Sequence, residues 1–186
     1  MMHDVRMGHF SLSTYFSTAE LSALRLEGDI SQDYELWDEV QNWKVRSWNI
    51  LHQERHPVVL TGESAVWAMG LCREPNKHTA STVTVRRIRR AFHLNVDIEE
   101  RTLSSNDVWM ERTYGITSPL RTTIDLLRSG SMNDQLVHEL CRSVMRVHDV
   151  SLETILTTLN NMSSVPNKRM ALRRAHELEN YPSDTR

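Results

Sequence analysis

The amino-acid sequence predicts an α+β fold, with short helices at the front, a small central and mostly antiparallel sheet, and a helical C-terminal third. Three observations lead to this prediction. Apolar residues recur at helical steps before Pro57, alternate with polar residues in the middle of the chain, and return to helical steps from Ser118 onward. With 186 residues, 39% of them hydrophobic, the chain is long enough to bury one sizeable core.

Two helices are predicted at the front of the chain. FSTAELSALRLEGD begins with a capping residue, Ser17 or Thr18, and ends at Gly28. After a polar connection, DEVQNWKVRSWNILHQERH repeats its apolar residues at three- and four-residue steps. We expect an N-terminal helix, with room for a hairpin, in residues 1–36 and an α+β domain in residues 37–186.

The middle of the chain is predicted to form the sheet. VVL is a buried strand, and TGESAVWAMGL follows it with a turn and a short helix that ends near Gly70. A β-rich run is expected at Ser81 to Arg87. FHLNVDIEERTL alternates apolar and polar residues, as a strand with one buried face does, and VWMERTYGIT supplies one or two more strands.

Four helices are predicted in the C-terminal third. SPLRTTIDLLRSG, SMNDQLVHELCRSVMRVHD, SLETILTTLNNM and NKRMALRRAHELE each carry an apolar stripe at helical spacing and a Ser, Asn or Asp near the start. In the first of them Ser118 is a predicted N-cap and Pro119 occupies the first turn. Arg121 and Asp125 are four residues apart, so we expect a surface ion pair worth about 0.3 to 0.5 kcal/mol.

Composition indicates a soluble cytoplasmic protein. No stretch of about 18 apolar residues occurs, so no membrane partner is expected. Cys72 and Cys141 lie outside any metal-ligand spacing, and we expect two reduced, mostly buried thiols. The formal net charge is -2, but the charge is unevenly distributed: residues 1–56 carry five Lys or Arg against nine Asp or Glu and are therefore acidic.

The densest basic cluster is RRIRR, which contains Arg86, Arg87, Arg89 and Arg90. Four guanidinium groups within five residues can contact phosphates, and each contact adds salt-dependent affinity. The alternative is a solvated loop that binds nothing. Because no aromatic stacking platform adjoins the cluster in sequence, binding of single strands is the weaker form of the hypothesis.

VPNKRMALRR carries a second basic group, with Lys168, Arg169 and Arg173 as further candidates for phosphate contact. On a helix that starts near Pro166, Arg169 and Arg173 lie on one face, and Arg174 lies at the edge of that face. A solvated helix face explains the same pattern.

Three tryptophans, Trp37, Trp43 and Trp48, do not share one helical face because their spacings are six and five residues. Core packing is the favoured interpretation for two of them, which leaves one as an exposed anchor for an interface.

Catalysis has little support in the sequence. A metal-dependent nuclease could use Asp97 and Glu99 of NVDIEERTL, but Arg101 stands where such sites have a lysine, and Glu100 points to the other face. We expect these carboxylates to lie on the solvent side of a strand. No enzyme activity, cofactor or metal is predicted.

One set of motifs resembles a known family. TSPLRTTIDL is similar to the T-[ST]-P-x-R-T-x-x-D-L pattern of AbiEi-type proteins, the antitoxins and transcriptional regulators of bacterial type IV toxin-antitoxin systems. VVLTGESAVWAMGL and VPNKRMALRR resemble two further elements of that family, in the right order over about residues 57–174. The matching residues are Ser64, Ala65, Trp67, Gly70, Thr117, Ser118, Pro119, Arg121, Thr122, Asp125, Leu126, Pro166, Lys168, Arg169, Ala171 and Leu172.

The resemblance implies a non-enzymatic antitoxin that binds promoter DNA, represses its own operon and counteracts a nucleotidyltransferase-like toxin, directly or only functionally. It also implies a winged-helix module before the α+β domain, but residues 1–36 offer one clear helix and only Arg6 and Arg25 against six acidic residues, so that part is at best degenerate. The alternatives are a protein-interaction module or dimeric adaptor without DNA binding and, third, a nuclease relative.

Overall fold

The computed structural model describes residues 43–52, 54, 56–83, 96–99, 101–163 and 165–180. The predictions for residues 1–36, for Trp37 and for the cluster Arg86, Arg87, Arg89 and Arg90 lie outside these residues. The predicted domain boundary at residue 37 lies outside them as well.

The described residues form six α-helices, one short 3-10 helix and five strands. In chain order these are α1 (Trp43–Leu51), β1 (Val58–Leu60), α2 (Gly62–Ala68), β2 (His78–Thr82), β3 (Val96–Glu99), the 3-10 helix (Ser105–Asp107), β4 (Val108–Glu111), β5 (Tyr114–Thr117), α3 (Pro119–Leu127), α4 (Asp134–His148), α5 (Leu152–Asn161) and α6 (Lys168–Asn180). This order confirms the α+β class and the helical C-terminal third.

The five strands form one sheet in the order β3-β2-β1-β5-β4. β1 runs antiparallel to β2 and parallel to β5, β2 runs parallel to β3, and β4 and β5 form an antiparallel hairpin. The expectation of a mostly antiparallel sheet is therefore wrong, because two of these four pairings are parallel. Apolar alternation reports which face of a strand is buried and carries no information on the direction of its neighbours.

Position in the sheet explains the composition of the strands. β1 is central, and Val58, Val59 and Leu60 are all fully buried, as a continuous apolar run predicts. β3 lies at an edge, where Val96 is buried while Asp97 and Glu99 are exposed. The alternation predicted for this strand is confirmed in its described part.

The β4–β5 hairpin depends on Gly115. A Cβ atom at this position would overlap the carbonyl oxygen of Trp109 and would approach the Cα of Met110 to 3.1 Å. The two strands can pair this closely only because glycine has no side chain.

The helices of the C-terminal third begin with the small polar residues that the sequence offers. Asn133 accepts a hydrogen bond from the Leu136 N–H, and Ser151 accepts one from the Thr154 N–H, so both are true N-caps. Ser118 differs from the prediction because its side chain makes no capping bond at the start of α3. Pro119 in the first turn removes one of the N–H groups that a cap would otherwise satisfy.

Candidate functional site

Helix α3, which carries the TSPLRTTIDL pattern, is enclosed by protein. It packs against α2, α4, α5 and α6, and eight of its nine residues are buried. Arg121 is 8% exposed and Asp125 is 6% exposed. The prediction of a surface ion pair is therefore wrong, because the segment that contains Arg101, Thr102 and Asp107 contacts a face that the sequence pattern leaves polar.

Asp125 lies at the centre of a group of arginines. The Arg121 Nε donates to both carboxylate oxygens at 3.2 Å. The Arg101 Nη1 lies 2.8 Å from one oxygen, and the Arg128 Nη1 lies 3.8 Å from the other. A buried carboxylate is tolerated only when such partners compensate for the water it has lost.

Arg121 also binds the segment that precedes the sheet hairpin. Its Nη1 donates to the Thr102 carbonyl oxygen at 3.2 Å and lies 3.3 Å from the Asp107 carboxylate. Asp107 in turn accepts from the N–H and the hydroxyl of Ser104, both at 2.8 Å, and so closes a capping box around the 3-10 helix. We call Arg101, Asp107, Arg121, Asp125 and Arg128 the Asp125 cluster.

The electrostatics of the Asp125 cluster follow from this geometry. Burial opposes the charge of the Arg101 guanidinium, but the carboxylates of Asp125 and Glu99 outweigh burial and raise its pKa. Burial lowers the pKa of Arg128, and Asp125 offsets part of that effect. The Asp125 carboxylate thus acts against the effect of burial at both Arg101 and Arg128.

Arg128 connects the Asp125 cluster to the start of α6. Its Nε donates to the Pro166 carbonyl oxygen at 3.1 Å, and the Asn167 side-chain amide donates to the Arg128 carbonyl oxygen at 3.0 Å. TSPLRTTIDL and VPNKRMALRR, which lie about 40 residues apart in sequence, are therefore held together through Arg128.

The three α6 candidates for phosphate contact differ in what they already bind. The Lys168 Nζ donates to the Asn160 and Met162 carbonyl oxygens at 2.8 and 2.6 Å, and so satisfies the C-terminal end of α5. Arg173 pairs with Asp134 at 2.8 Å and with Glu177 at 2.6 Å.

Arg169 is exposed and, with Val165, Asn167, Lys168 and Leu172, lines an open groove. Among the described residues it makes no ion pair, so it is the α6 cation most available to a ligand. The sequence also leads us to expect that the α6 cations and the arginines at 86, 87, 89 and 90 form one positive surface. This stays a prediction, because those four arginines lie outside the described residues.

Arg174 is a structural residue that the sequence pattern placed only at the edge of a basic face. It is 2% exposed and pairs with Asp134 at 2.7 Å. Its remaining N–H groups donate to three carbonyl oxygens around the α3–α4 connection, those of Leu127, Ser129 and Met132. A guanidinium is suited to this role because its five N–H groups form a fixed fork.

The carboxylates considered for a nuclease site lie on the solvent side of β3. Asp97 pairs with Lys77 and Glu99 pairs with Arg101, each at 2.7 Å. In the part of the chain that the structure describes, no three His, Cys, Asp or Glu side chains lie together in a way that could hold a metal ion. The expected solvent-side placement of Asp97 and Glu99 is confirmed.

One polar group was missed by the sequence reasoning. The His78 ring lies 3.3 Å from the Ser64 Oγ through Nδ1 and 3.2 Å from Glu74 through Nε2. Its only sequence signal is the four-residue spacing of Glu74 and His78. The order of serine, histidine and carboxylate is that of a nucleophile with its base and orienting acid.

Burial determines what the Ser64 group does. Ser64 is 1% exposed, and its Oγ accepts the Thr79 N–H at 2.9 Å. The Trp67 ring covers His78 with the ring centroids 4.8 Å apart. The hydroxyl therefore joins α2 to β2 and has no open path to a substrate.

Trp43, Trp48 and the two cysteines have the burial that the sequence predicts, whereas the role of Trp48 as an interface anchor stays a prediction. Trp43 packs against Trp109 with the ring centroids 6.2 Å apart, whereas Trp48 is 48% exposed. Both cysteines are free, and burial raises the pKa of Cys72 to about 11 and that of Cys141 to about 12. Thiols with such pKa values stay protonated near neutral pH and are poor nucleophiles.

Comparison of the chain with protein-family models, with curated proteins and with solved structures finds no match. Among the helices of the described residues, none combines the length and the apolar character that crossing a membrane requires.

Proposed function

We propose that this chain is an AbiEi-type antitoxin and transcriptional regulator, which represses its own operon by binding promoter DNA and counteracts a nucleotidyltransferase-like toxin. The observation that carries the proposal is that Arg128, two residues after the first motif, joins the two motif segments: it lies 3.8 Å from Asp125 of the first and donates to the Pro166 carbonyl oxygen of the second. Arg121 and Asp125, the two charged residues of the first motif, bind each other in the core. The charged residues that match the family pattern are thus among those whose contacts hold the domain together.

The DNA-binding part of the proposal is supported by cation placement. Arg86, Arg87, Arg89 and Arg90 are the densest basic run of the sequence, and Arg169 is exposed beside an open groove. Lys168 and Arg173 already bind protein groups, so we expect them to contribute less to phosphate contact than Arg169.

A gel-shift titration against the upstream region of the protein's own gene tests DNA binding. The wild type should shift this duplex at low salt, and its affinity should fall as salt rises. Replacing Arg86 and Arg87 by Gln removes two cations, so the slope of log affinity against log salt should drop by about 2.

The matched control for this titration replaces two exposed arginines that are not proposed to touch DNA, Arg73→Gln with Arg146→Gln. It carries the same change of net charge and should keep the wild-type slope. No shift by the wild type at low salt, or an equal loss in both double variants, contradicts the proposed DNA contact.

A growth assay tests the antitoxin part. Co-expression with a nucleotidyltransferase-like toxin from the adjacent reading frame should restore growth that the toxin alone arrests. The Arg86→Gln, Arg87→Gln variant shows whether rescue needs DNA binding. Continued arrest despite soluble, folded protein at wild-type level contradicts the antitoxin role.

A further inference from the structure

The end of the sheet at which β1 begins brings separate segments together. The Val58 N–H donates to the Thr113 carbonyl oxygen at 2.9 Å, so the turn between β4 and β5 lies at this end. The Val83 N–H donates to the Pro57 carbonyl oxygen at 3.1 Å, so the end of β2 lies there too.

Arg112 is strained at this end of the sheet. It is the first of two turn residues between Glu111 and Tyr114, it is exposed, and its φ is +58°. Glycine is favoured in this backbone conformation because the Cβ atom of an L residue crowds the following carbonyl oxygen, and asparagine is tolerated because its short side chain can hydrogen-bond locally. Among the described residues, the Arg112 side chain makes no hydrogen bond or ion pair that would compensate for the strain. The two-residue turn of the β4–β5 hairpin explains the positive φ, but it does not explain why an arginine stands there instead of glycine or asparagine. A residue type that the fold does not require at a strained position is a candidate for a functional role.

Trp48 lies on the helix beside that turn. It is 48% exposed, and its ring stacks on His52 with the centroids 4.7 Å apart. Lys44, one helical turn earlier, pairs with Glu111 at 2.7 Å and so places this face of α1 next to the hairpin. We call Lys44, Trp48, His52 and Arg112 the Trp48 surface.

The chemistry of the Trp48 surface favours one kind of partner. An exposed indole stacks on any unpaired base, and a neighbouring guanidinium can bind the adjacent phosphate. An apolar protein partner would instead require a contiguous apolar patch, whereas Trp48 has polar exposed neighbours in Asn49 and His52. Glu111 offsets the charge of Lys44, which leaves Arg112 as the main cation for a phosphate.

We propose that the Trp48 surface binds single-stranded nucleic acid, with an unpaired base stacked on Trp48 and its phosphate held by Arg112. This inference goes beyond the proposed function, which concerns duplex promoter DNA. The two can therefore stand or fail separately.

Fluorescence anisotropy with a labelled oligothymidine of about ten nucleotides tests the inference. The wild type should bind at low salt, and Trp48→Ala should weaken binding roughly tenfold, the usual effect of removing one stacking aromatic. The control is Val147→Ala, which removes an apolar side chain that is 58% exposed and should leave binding unchanged.

A second variant separates strain from function. Arg112→Gly relieves the positive φ and should raise the melting temperature, while the slope of log affinity against log salt falls by about 0.7 because one phosphate contact is lost. Asp149→Gly relieves a similar φ of +52° without removing a cation, so it should raise stability and leave the slope unchanged.

Several outcomes overturn the inference. One is wild-type affinity for oligothymidine in both Trp48→Ala and Arg112→Gly, and another is the absence of binding by the wild type at low salt. A third is that Trp48→Ala loses a self-associated species in sedimentation but keeps its oligonucleotide affinity. That result would mean that the Trp48 surface binds a second copy of the chain. If the wild type still shifts duplex promoter DNA when any of these outcomes is found, the proposed function is kept and only the role of the Trp48 surface is rejected.

Discussion

Two ion pairs of identical spacing behave differently in this protein. Arg121 and Asp125 in α3, and Arg173 and Glu177 in α6, each join an arginine to a carboxylate four residues later. The side chains of the first pair are 9% and 2% exposed, while those of the second are 50% and 40% exposed. Local spacing brings the partners together in both helices, but the environment of the pair decides how much the contact contributes.

The reason for the difference is the position of each helix. α3 follows directly from β5 and packs against four other helices. Its Arg121 and Asp125 side chains contact the segment of Arg101, Thr102 and Asp107, which helps to keep water from them. Arg173 lies on a face of α6 that stays exposed. Removing one partner of a buried pair leaves an uncompensated charge, whereas an exposed partner returns to solvent.

The largest expected effect on stability comes from removing the buried negative charge of Asp125. Asp125→Asn leaves Arg101, Arg121 and Arg128 without their shared carboxylate and should lower the free energy of unfolding by about 3 to 5 kcal/mol. Glu177→Gln is the matched change in the exposed pair and should move the unfolding midpoint little. Urea titrations followed by circular dichroism measure both, and similar losses in the two variants would contradict the distinction.

The next effect tests geometry rather than charge. Arg121→Lys keeps the charge but cannot reproduce the bonds to Asp125 and the Thr102 carbonyl oxygen, so we expect a loss of about 1 to 3 kcal/mol. Arg173→Lys at the exposed pair is the control and should unfold close to the wild type. A stable Arg121→Lys variant would show that charge alone holds the Asp125 cluster.

A smaller effect on stability is expected at acidic pH, through Asp134. Hydrogen bonds from Arg173 and Arg174 lower the pKa of the half-exposed Asp134 carboxyl below its usual value. A carboxyl whose folded pKa is depressed adds stability that is complete above its unfolded pKa and is lost as pH falls through the folded pKa. The difference in stability between the wild type and Asp134→Asn should therefore shrink from about pH 5 downward. A difference that stays constant down to pH 2 would argue against the bonds from Arg173 and Arg174.

The smallest effect concerns salt. Because the Debye length is about 3 Å at 1 M salt, raising sodium chloride from 0.05 to 1 M should remove whatever destabilisation Glu177→Gln causes. The destabilisation caused by Asp125→Asn should change little, since its partners are shielded from solvent ions. Equal screening of both variants would mean that water reaches the Asp125 cluster.

Much of the fold could be predicted because its signals are local. The strand of VVL, the helix that ends near Gly70 and the four C-terminal helices all follow apolar periodicity and capping residues. The exposed Asp97 and Glu99 of β3 follow from alternation alone. The direction of the strands did not follow, because pairing joins β1 to β5 across more than 50 residues of sequence.

The candidate site was less predictable. Arg121 and Asp125 were identified as partners, and Arg128 follows Asp125 at the helical spacing of three residues. Arg101 and Asp107 enter the Asp125 cluster from another segment, and no spacing in the sequence indicates them. The contact of Ser64 with His78 likewise depends on the packing of α2 against β2. The structural role of Lys168 could not be predicted either, since its two carbonyl acceptors belong to the end of α5.

By itself the sequence determined most helices and strands of the described chain, although β2 begins at His78, three residues before the run predicted from Ser81. It also determined that an arginine and a carboxylate four residues apart would meet. Backbone periodicity acts over a few residues, so neighbours in sequence are enough to establish these features. Only the tertiary structure decided which of the two pairs is buried, how the strands are directed, and that TSPLRTTIDL and VPNKRMALRR meet at Arg128. Exclusion of water is produced by residues that are far apart in sequence, so no local pattern can specify it.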